Sequence, residues 1–227
     1  NLSLSDQLAY EIHRPLNLEE IVFHREQALI YRKLLAGESI ILSAPTSFGK
    51  SRIIDAMIAL GRYNNIAVLV PTIALIDETR RRLSQFGEKY KVITHPTQLP
   101  GEKNIFVLTA ERAIAYEKFP EIDFLVLDEF YKINALEEDK SRTVALNQAF
   151  YKLRKKRTQF YLLGPNIQTI PDTVEGSLRC SFFKTHFSTV VAEQKRITPK
   201  GVRLQRLWQF SPLEILCDSS VRPILYA

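Results

Sequence analysis

One stretch in the first quarter of the chain combines a glycine, a lysine and a serine at a spacing that suits phosphate binding. Residues 39–51 read Ser-Ile-Ile-Leu-Ser-Ala-Pro-Thr-Ser-Phe-Gly-Lys-Ser, which predicts a buried strand, a loop from Ala44 to Gly49, and a helix from Lys50. The N–H groups and the dipole at a helix N-terminus attract anions. In the pattern G-x-x-x-x-G-K-[ST], with Ala44 in the place of the first glycine, Lys50 would reach nucleotide phosphates and Ser51 would bind Mg²⁺. The alternative is an ordinary strand-to-helix turn with an exposed lysine.

Two adjacent carboxylates follow a second apolar run. Residues 124–127 (Phe-Leu-Val-Leu) predict a buried strand, and Asp128 and Glu129 come directly after it. Parallel α/β sheets bind ligands at the carboxyl ends of their strands. Asp128 would therefore hold the Mg²⁺, while Glu129 would act as the general base on an attacking water. The alternative is a polar strand end that leads into a loop.

The elements that must position these groups alternate between strands and helices. Apolar runs predict strands at 67–71, 104–109, 124–127 and 159–163, with further candidates at 91–94 and 185–192. Periodicity and end signals predict helices at 3–14, 23–36, 50–60, 73–86, 111–118 and 141–156. Near-continuous apolar runs are typical of strands buried on both faces. We therefore predict an α/β fold with a mostly parallel sheet and helices on both faces.

Length and composition fit one large α/β domain with extensions. The 227 residues are 45% hydrophobic, which is typical of a globular protein with a well-filled core. We predict a helical extension over 1–19, the α/β domain over 20–192, and a basic tail or linker over 193–227. The net charge is +6, and from Gly176 onward there are eight basic residues and three acidic ones. This excess weakly favours a polyanionic partner.

Cysteine usage and hydropathy argue against several other classes of protein. Cys180 and Cys217 lack the spacing of a metal site, and the four histidines form no cluster in the sequence. Two reduced thiols are typical of the cytosol, so we expect a cytoplasmic location. No apolar run approaches the roughly 18 residues of a membrane span, and we expect no membrane partner. The first residue is Asn1, so we expect the sequence to be part of a longer chain.

Over residues 20–192, the order of the motifs resembles the first RecA-like domain of superfamily-two helicases, the DEAD/DExH proteins. Residues 44–51 resemble motif I, 70–75 (Val-Pro-Thr-Ile-Ala-Leu) motif Ia, 108–112 (Leu-Thr-Ala-Glu-Arg) the T-x-E/G-R/K motif, and 127–131 (Leu-Asp-Glu-Phe-Tyr) motif II. The helix that includes Arg142 is most similar to the superkiller-type DExH branch. The resemblance implies the ATP-binding half of a nucleic-acid-dependent ATPase or helicase. It also implies a P-loop NTPase fold that uses ATP and Mg²⁺.

The resemblance also implies roles for individual residues. Gln27 lies 23 residues before Lys50, a spacing similar to that of the adenine-reading glutamine of the family, although it could instead be a surface helix residue. A stacking partner for adenine could be Tyr10, Phe23 or neither. The nucleotide would contact Gln27, Ala44, Thr46, Ser47, Phe48, Gly49, Lys50 and Ser51. The sugar–phosphate backbone of RNA or DNA, single-stranded or duplex, would contact Pro71, Thr72, Thr109 and Arg112. For both threonines the alternative is helix N-capping, which uses the same atoms.

Two departures from the family pattern bear on activity. Tyr131 stands where the superkiller-type branch has His, and Gly164-Pro165-Asn166 stands where the family has Ser-Ala-Thr. Pro165 has no N–H, so the hydrogen bonds that couple ATP to the nucleic-acid track must differ there. No segment resembles Q-x-x-G-R-x-G-R, which would supply arginine fingers. We therefore expect a second RecA-like domain or a partner chain to complete the site, and the isolated domain to be nearly inactive.

Other interpretations remain at this point. The chain could be a helicase-derived nucleotide-binding scaffold without efficient hydrolysis. It could also be a small-molecule kinase, although a kinase has no reason to carry the Thr-Ala-Glu-Arg segment. The basic run at 152–157 suggests a nucleic-acid patch, but a solvated helix end is the preferred interpretation, because cations favour the C-terminal end of the helix dipole.

Overall fold

Parallel strands form a seven-stranded sheet in the described part of the chain. The computed structural model describes residues 14–15, 18, 21–130, 140–165, 167–185 and 187, together with the backbone of 193–198 and 201–206. The strands are β1 (Ser39–Ser43), β2 (Asn65–Leu69), β3 (Lys91–Ile93), β4 (Asn104–Leu108), β5 (Phe124–Leu127), β6 (Gln159–Gly164) and β7 (Cys180–Lys184). They lie in the order β3-β4-β2-β5-β6-β1-β7, and every neighbouring pair is parallel. Their carboxyl ends therefore meet at one edge of the sheet.

Helices lie on both faces of this sheet. They are α1 (Arg25–Leu35), α2 (Lys50–Ala59), α3 (Ile73–Leu83), α4 (Ala110–Ala115), α5 (Lys140–Leu153) and α6 (Asp172–Leu178). In β1, Ile40 packs in one core with α1, α2 and α3, whereas the next residue, Ile41, packs in the other core with α4 and α5. Successive side chains of a strand point to opposite faces, so each strand contributes to both cores. The structure confirms the predicted α/β layers.

The last strand of the sheet lies earlier than predicted. The sequence suggested a strand at 185–192, but β7 ends at Lys184, and Thr185 and Phe187 lie outside it. The rest of that segment is outside the described residues. β7 is an edge strand that pairs only with β1 in the described sheet, and its side chains are half-buried or exposed. An edge strand of this kind lacks the continuous apolar run that identified the other strands.

The helix that precedes β7 was not predicted. α6 has seven residues, follows Pro171, and buries none of them. A short helix without a buried face has no apolar periodicity to reveal it. Its start could have been inferred from Pro171 and Asp172, because proline and acidic residues favour a helix N-terminus.

The basic tail contains an antiparallel pair of strands. β8 (Glu193–Thr198) pairs with β9 (Gly201–Arg206), and Thr198 lies opposite Gly201. This segment was predicted only as a basic tail or linker, so the pair is an element that the sequence interpretation missed. The helix predicted at 3–14, like Tyr10, Tyr131, Asn166 and Cys217, lies outside the described residues. The domain boundaries at 19/20 and 192/193 stay predictions.

The described residues include one of the two cysteines, Cys180. Cys180 is a free thiol in β7, and burial, with a smaller contribution from Glu175, raises its pKa to about 11. It is therefore poorly suited to act as a thiolate nucleophile near neutral pH.

Among the described residues, no helix has the length and apolar character to cross a membrane.

Candidate functional site

The loop after β1 has the shape predicted for a phosphate cradle. A short 3₁₀ turn at Thr46–Phe48 follows Pro45, and Gly49 then adopts a left-handed conformation with φ 77° before α2 begins at Lys50. A Cβ atom at Gly49 would lie 2.5 Å from Nε2 of Gln27. The backbone conformation therefore favours glycine at this position, and a larger residue would also displace the end of the Gln27 side chain.

Gln27, in the first turn of α1, hydrogen-bonds to this loop. Its side chain is buried, and Nε2 donates a hydrogen bond of 2.7 Å to the carbonyl of Phe48. Its Oε1 accepts a bond of 3.1 Å from the backbone N–H of His24, which is the N-cap of α1. The interpretation of Gln27 as a surface residue is therefore wrong. Its role in reading adenine stays a prediction, but the residue does lie against the phosphate loop.

Of the two candidates for stacking on adenine, only Phe23 is described. It is 1% exposed and contacts the ring of Tyr31 at a centroid distance of 5.3 Å. A ring this deep in the core offers no free face to a ligand. The structure therefore gives no support to Phe23 as a stacking partner.

Lys50 lies between the loop and the carboxylates. Its Nζ donates a hydrogen bond of 3.0 Å to the carbonyl of Ala44. Burial lowers the pKa of Lys50, while the negative charges of Asp128 and Glu129 act in the opposite direction. The structure therefore brings the predicted lysine and the predicted acidic pair into electrostatic contact, although β6 separates their strands.

Asp128 and Glu129 form a tight turn at the end of β5. The N–H of Asp128 still bonds to the sheet through the carbonyl of Leu69, at 3.1 Å. Its Oδ1 accepts a bond of 2.9 Å from the N–H of Glu129, which adopts a left-handed conformation with φ 56°. Such a conformation costs a non-glycine residue about 1–2 kcal/mol. The turn therefore fixes the backbone of both acidic residues directly after β5.

A cleft next to this turn contains residues that the motif analysis did not assign. Asp128 and Glu129 line it together with Pro71, Glu111 and Arg142. Arg142 comes from α5, and it had been noted only as part of a helix that resembles the superkiller-type branch. Its charge was the available signal, but only the packing of α5 shows that it lies beside the acidic pair.

The two threonines predicted to bind nucleic acid both cap helices. Thr72 caps α3 by accepting a bond of 3.3 Å from the N–H of Leu75, and its side chain is exposed. Thr109 caps α4 through the N–H of Arg112, at 3.4 Å, and is 6% exposed. The guanidinium of Arg112 donates to the carbonyl of Thr94 at 2.9 Å. Thr72 is therefore accessible to a phosphate, whereas Thr109 and Arg112 are already engaged within the fold.

The basic run at 152–157 is divided between two environments. Lys152 is partly buried, and its Nζ donates to the carbonyls of Ala113, Ile114 and Tyr116 at 3.3, 2.7 and 2.7 Å. It caps the C-terminal end of α4, so the interpretation of a solvated helix end is wrong for this residue. The last three residues of the run, at 155–157, are exposed.

The segment after β6 contacts the phosphate loop through its own set of bonds. The N–H of Ala44 donates to the carbonyl of Gly164 at 3.1 Å, and Oγ of Ser43 accepts from the N–H of Ile167 at 2.9 Å. Pro165 lies between these contacts and donates none itself. The family's Ser-Ala-Thr position is therefore connected to the loop by neighbouring backbone groups.

Comparison with known proteins identifies the family. Residues 24–164, which extend from the N-cap of α1 to the end of β6, match the family described as DEAD/DEAH box helicase. The chain belongs to this family. Within it, the helicase chain is 36% identical over 204 residues to the anti-bacteriophage protein B of Escherichia coli K12, covering 86% of this chain and 28% of that protein. It is 24% identical to the antiviral helicase SKI2 of Saccharomyces cerevisiae, covering 82% of this chain and 14% of that protein.

A solved structure agrees with the fold of this helicase chain. The crystal structure of the DUF1998 helicase MrfA bound to DNA superposes with a TM-score of 0.55 at 16% identity, covering 78% of this chain and 29% of that one. The likeness shows the RecA-like fold. The helicase chain thus spans less than a third of each of these proteins.

Family membership settles part of the sequence interpretation. The resemblance to superfamily-two helicases is confirmed, and the chain is a DEAD/DEAH box helicase domain. The kinase interpretation is wrong. The family uses ATP with Mg²⁺, and the residues present fit both ligands. Gly49 ends the loop, Lys50 begins the helix that follows, and Asp128 and Glu129 lie within electrostatic reach of that lysine.

Proposed function

We propose that this chain is the ATP-hydrolysing half of a motor that remodels RNA or DNA when joined to a second RecA-like domain. The observation that carries the proposal is the position of Lys50, which lies within electrostatic reach of both Asp128 and Glu129. A nucleotide-binding scaffold needs the lysine alone. The acidic pair opposite it is what hydrolysis requires.

Each residue has a separate task in this proposal. Lys50 leaves the carbonyl of Ala44 and binds the terminal phosphates, where a charge-assisted bond is stronger than the present one. Ser51 and Asp128 hold the Mg²⁺, which supplies charge neutralisation on the phosphates when it is bound. Glu129 orients the attacking water and accepts its proton. The left-handed backbone of Glu129 and the bond that Asp128 accepts from its N–H fix the turn that carries both residues.

The proposed nucleic-acid track begins at Thr72. Its exposed hydroxyl and the N-terminus of α3 suit a backbone phosphate. Pro71 precedes it and lines the cleft that also contains Glu129. Thr109 and Arg112 would join the track only if Arg112 released the carbonyl of Thr94. Such contacts hold the strand without reading its sequence.

The decisive experiment measures ATP hydrolysis by the complete protein with no nucleic acid, with single-stranded RNA, with single-stranded DNA and with duplex DNA. We expect stimulation by at least one of them. The same assay is repeated with Glu129→Gln, which removes the proposed base. Glu88→Gln, at an exposed surface position, is its matched control. Nucleotide binding without turnover under every condition would instead favour the scaffold without efficient hydrolysis. The motivation for that alternative is Pro165, which departs from the family pattern in the coupling segment.

We further propose that the complete protein acts against foreign nucleic acid. The support is the 36% identity, over most of this chain, to a protein named for its action against bacteriophage. The test is a plaque assay in a bacterial host that expresses the complete protein or its Lys50→Ala variant. We expect fewer plaques with the wild type only, and equal plaque numbers would contradict this role.

A further inference from the structure

A partly buried ion pair joins the helix of the phosphate loop to the next helix along the chain. Asp55 of α2 is 8% exposed and pairs with the guanidinium of Arg82, near the end of α3. The same Nη1 of Arg82 also donates to the carbonyl of Ser51 at 3.4 Å. One guanidinium therefore contacts α2 at two points, one of which is the proposed Mg²⁺-binding serine.

The two helices begin at the two proposed binding sites. α2 begins at Lys50, directly after the phosphate loop, and α3 begins after Thr72, where we place the nucleic acid. Both helices pack in the same core, with Ile53 on α2 and Ile76 on α3. A helix moves largely as a rigid rod, so a displacement at Thr72 would be carried along α3 to Arg82.

Desolvation of Asp55 offsets part of its attraction to Arg82. Burial raises the pKa of Asp55, and the attraction of Arg82 only partly offsets that effect. Buried ion pairs often contribute little to folding, because desolvation cancels their attraction. What the pair does provide is fixed geometry, since the planar guanidinium bonds a carboxylate in a defined orientation.

The usual coupling segment of the family is also altered here. Gly164-Pro165-Asn166 replaces Ser-Ala-Thr, and Pro165 has no N–H to donate. The bonds from this segment to the loop after β1 run instead through the backbone groups of Gly164 and Ile167. The Asp55–Arg82 pair is a separate contact, between α2 and α3, on the α1–α3 face of the sheet.

We propose that Asp55 and Arg82 are positioning residues that couple nucleic-acid binding at Thr72 to the phosphate loop at Ser51. The proposal rests on the proposed function. Its direct test uses the complete protein with Arg82→Gln and Asp55→Asn, which remove charge and keep most of the shape. The matched control is Arg81→Gln, on the same helix but exposed, where the side chain donates a hydrogen bond to the carbonyl of Asp77 in its own helix.

The readout is the ratio of ATP hydrolysis with nucleic acid to hydrolysis without it. We expect basal hydrolysis to stay within about twofold in both variants, and the stimulation ratio to fall by about fivefold or more, the lower end of typical coupling. Arg81→Gln should keep the wild-type ratio. Folded variants with a wild-type ratio would overturn the proposal. A purely structural role would instead lower basal and stimulated rates together, and that result would also overturn it.

Equilibrium coupling gives a second readout. In the wild type, a non-hydrolysable ATP analogue should change the affinity for a single-stranded oligonucleotide. The oligonucleotide must then change the affinity for the analogue by the same factor. Both variants should lose most of that change. If a single variant leaves a buried charge and unfolds, the double variant Asp55→Asn/Arg82→Gln removes both charges and should show the same loss.

The outcomes separate this inference from the proposed function. A wild-type protein that neither hydrolyses ATP faster with nucleic acid nor changes its affinity with the analogue overturns the proposed function, and this inference with it. Wild-type coupling that survives in the double variant overturns the inference alone.

Discussion

The side-chain amide of Gln27 donates to the Phe48 carbonyl at 2.7 Å, which joins the first helix of the domain to the phosphate loop. The bond is buried and spans 21 residues of sequence. It holds the turn just before Gly49, where a Cβ atom would meet the end of the Gln27 side chain. The start of α1 therefore shapes the cradle, whether or not Gln27 also contacts a base.

Substituting Gln27 should separate these two roles. Gln27→Ala leaves the Phe48 carbonyl and the His24 N–H without this partner, and a lost buried hydrogen bond costs about 1–3 kcal/mol. We expect weaker binding of both ATP and GTP, measured by titration calorimetry, if the residue only shapes the loop. A loss confined to ATP would show that it reads adenine. Gln148→Ala, at an exposed position on α5, should change neither affinity.

Lys50→Ala should weaken ATP binding by on the order of tenfold or more, because a charge-assisted bond to phosphate contributes about 1.5–3 kcal/mol. The affinity should also depend on pH. Since burial lowers the pKa of Lys50 below its ordinary value of 10.5, ATP affinity should begin to fall at a lower alkaline pH than for an exposed lysine. Calorimetry on wild type, Lys50→Ala and the exposed control Lys89→Ala tests both points. Equal affinity in the first two would contradict the assignment.

Glu129→Gln should keep ATP binding and reduce turnover in the complete protein. The change removes the proposed base, while Asp128 and the bond that its Oδ1 accepts from the following N–H remain. Steady-state hydrolysis and nucleotide titration on the same preparation measure the two effects. Turnover at the wild-type rate would show that another group activates the water.

Lys152→Ala should destabilise the domain without a change in the nucleotide site. The ammonium is a shared donor to three carbonyls at the end of α4, and hydrogen bonds to charged groups contribute about 1.5–3 kcal/mol. Chemical denaturation should show a lower free energy of unfolding by that order. Lys155→Ala, in the exposed part of the same run, should stay within about 0.5 kcal/mol of the wild type.

Residues 1–227 alone should bind ATP weakly and hydrolyse it at a barely detectable rate. An arginine finger accelerates related phosphate-loop enzymes by roughly 10³–10⁵-fold, and no segment of this sequence resembles the motif that supplies one. Hydrolysis by the fragment, measured with and without RNA or DNA, should show little stimulation. Robust stimulated hydrolysis by a monomer would mean that one domain completes the site by itself.

Local sequence determined most of the sheet and the position of the motifs. The apolar runs that became β1, β2, β4, β5 and β6 are buried on both faces, so composition alone identifies them. The phosphate loop and the Asp128–Glu129 turn each lie directly after such a strand, and parallel strands end at the same edge. Their proximity therefore followed from topology. β7 and α6 escaped this reasoning because an edge strand and an unburied helix carry no comparable pattern.

Only the tertiary structure decided what the polar side chains between these motifs do. Gln27, Arg112 and Lys152 each bond a backbone carbonyl at least 18 residues away, and Arg82 bonds Asp55 across 27 residues. A sequence pattern reports the periodicity of one element, but it does not report which helix end or loop carbonyl faces a long side chain from another. That depends on how the helices pack on the sheet, because a polar group taken out of water must find a partner wherever packing leaves one.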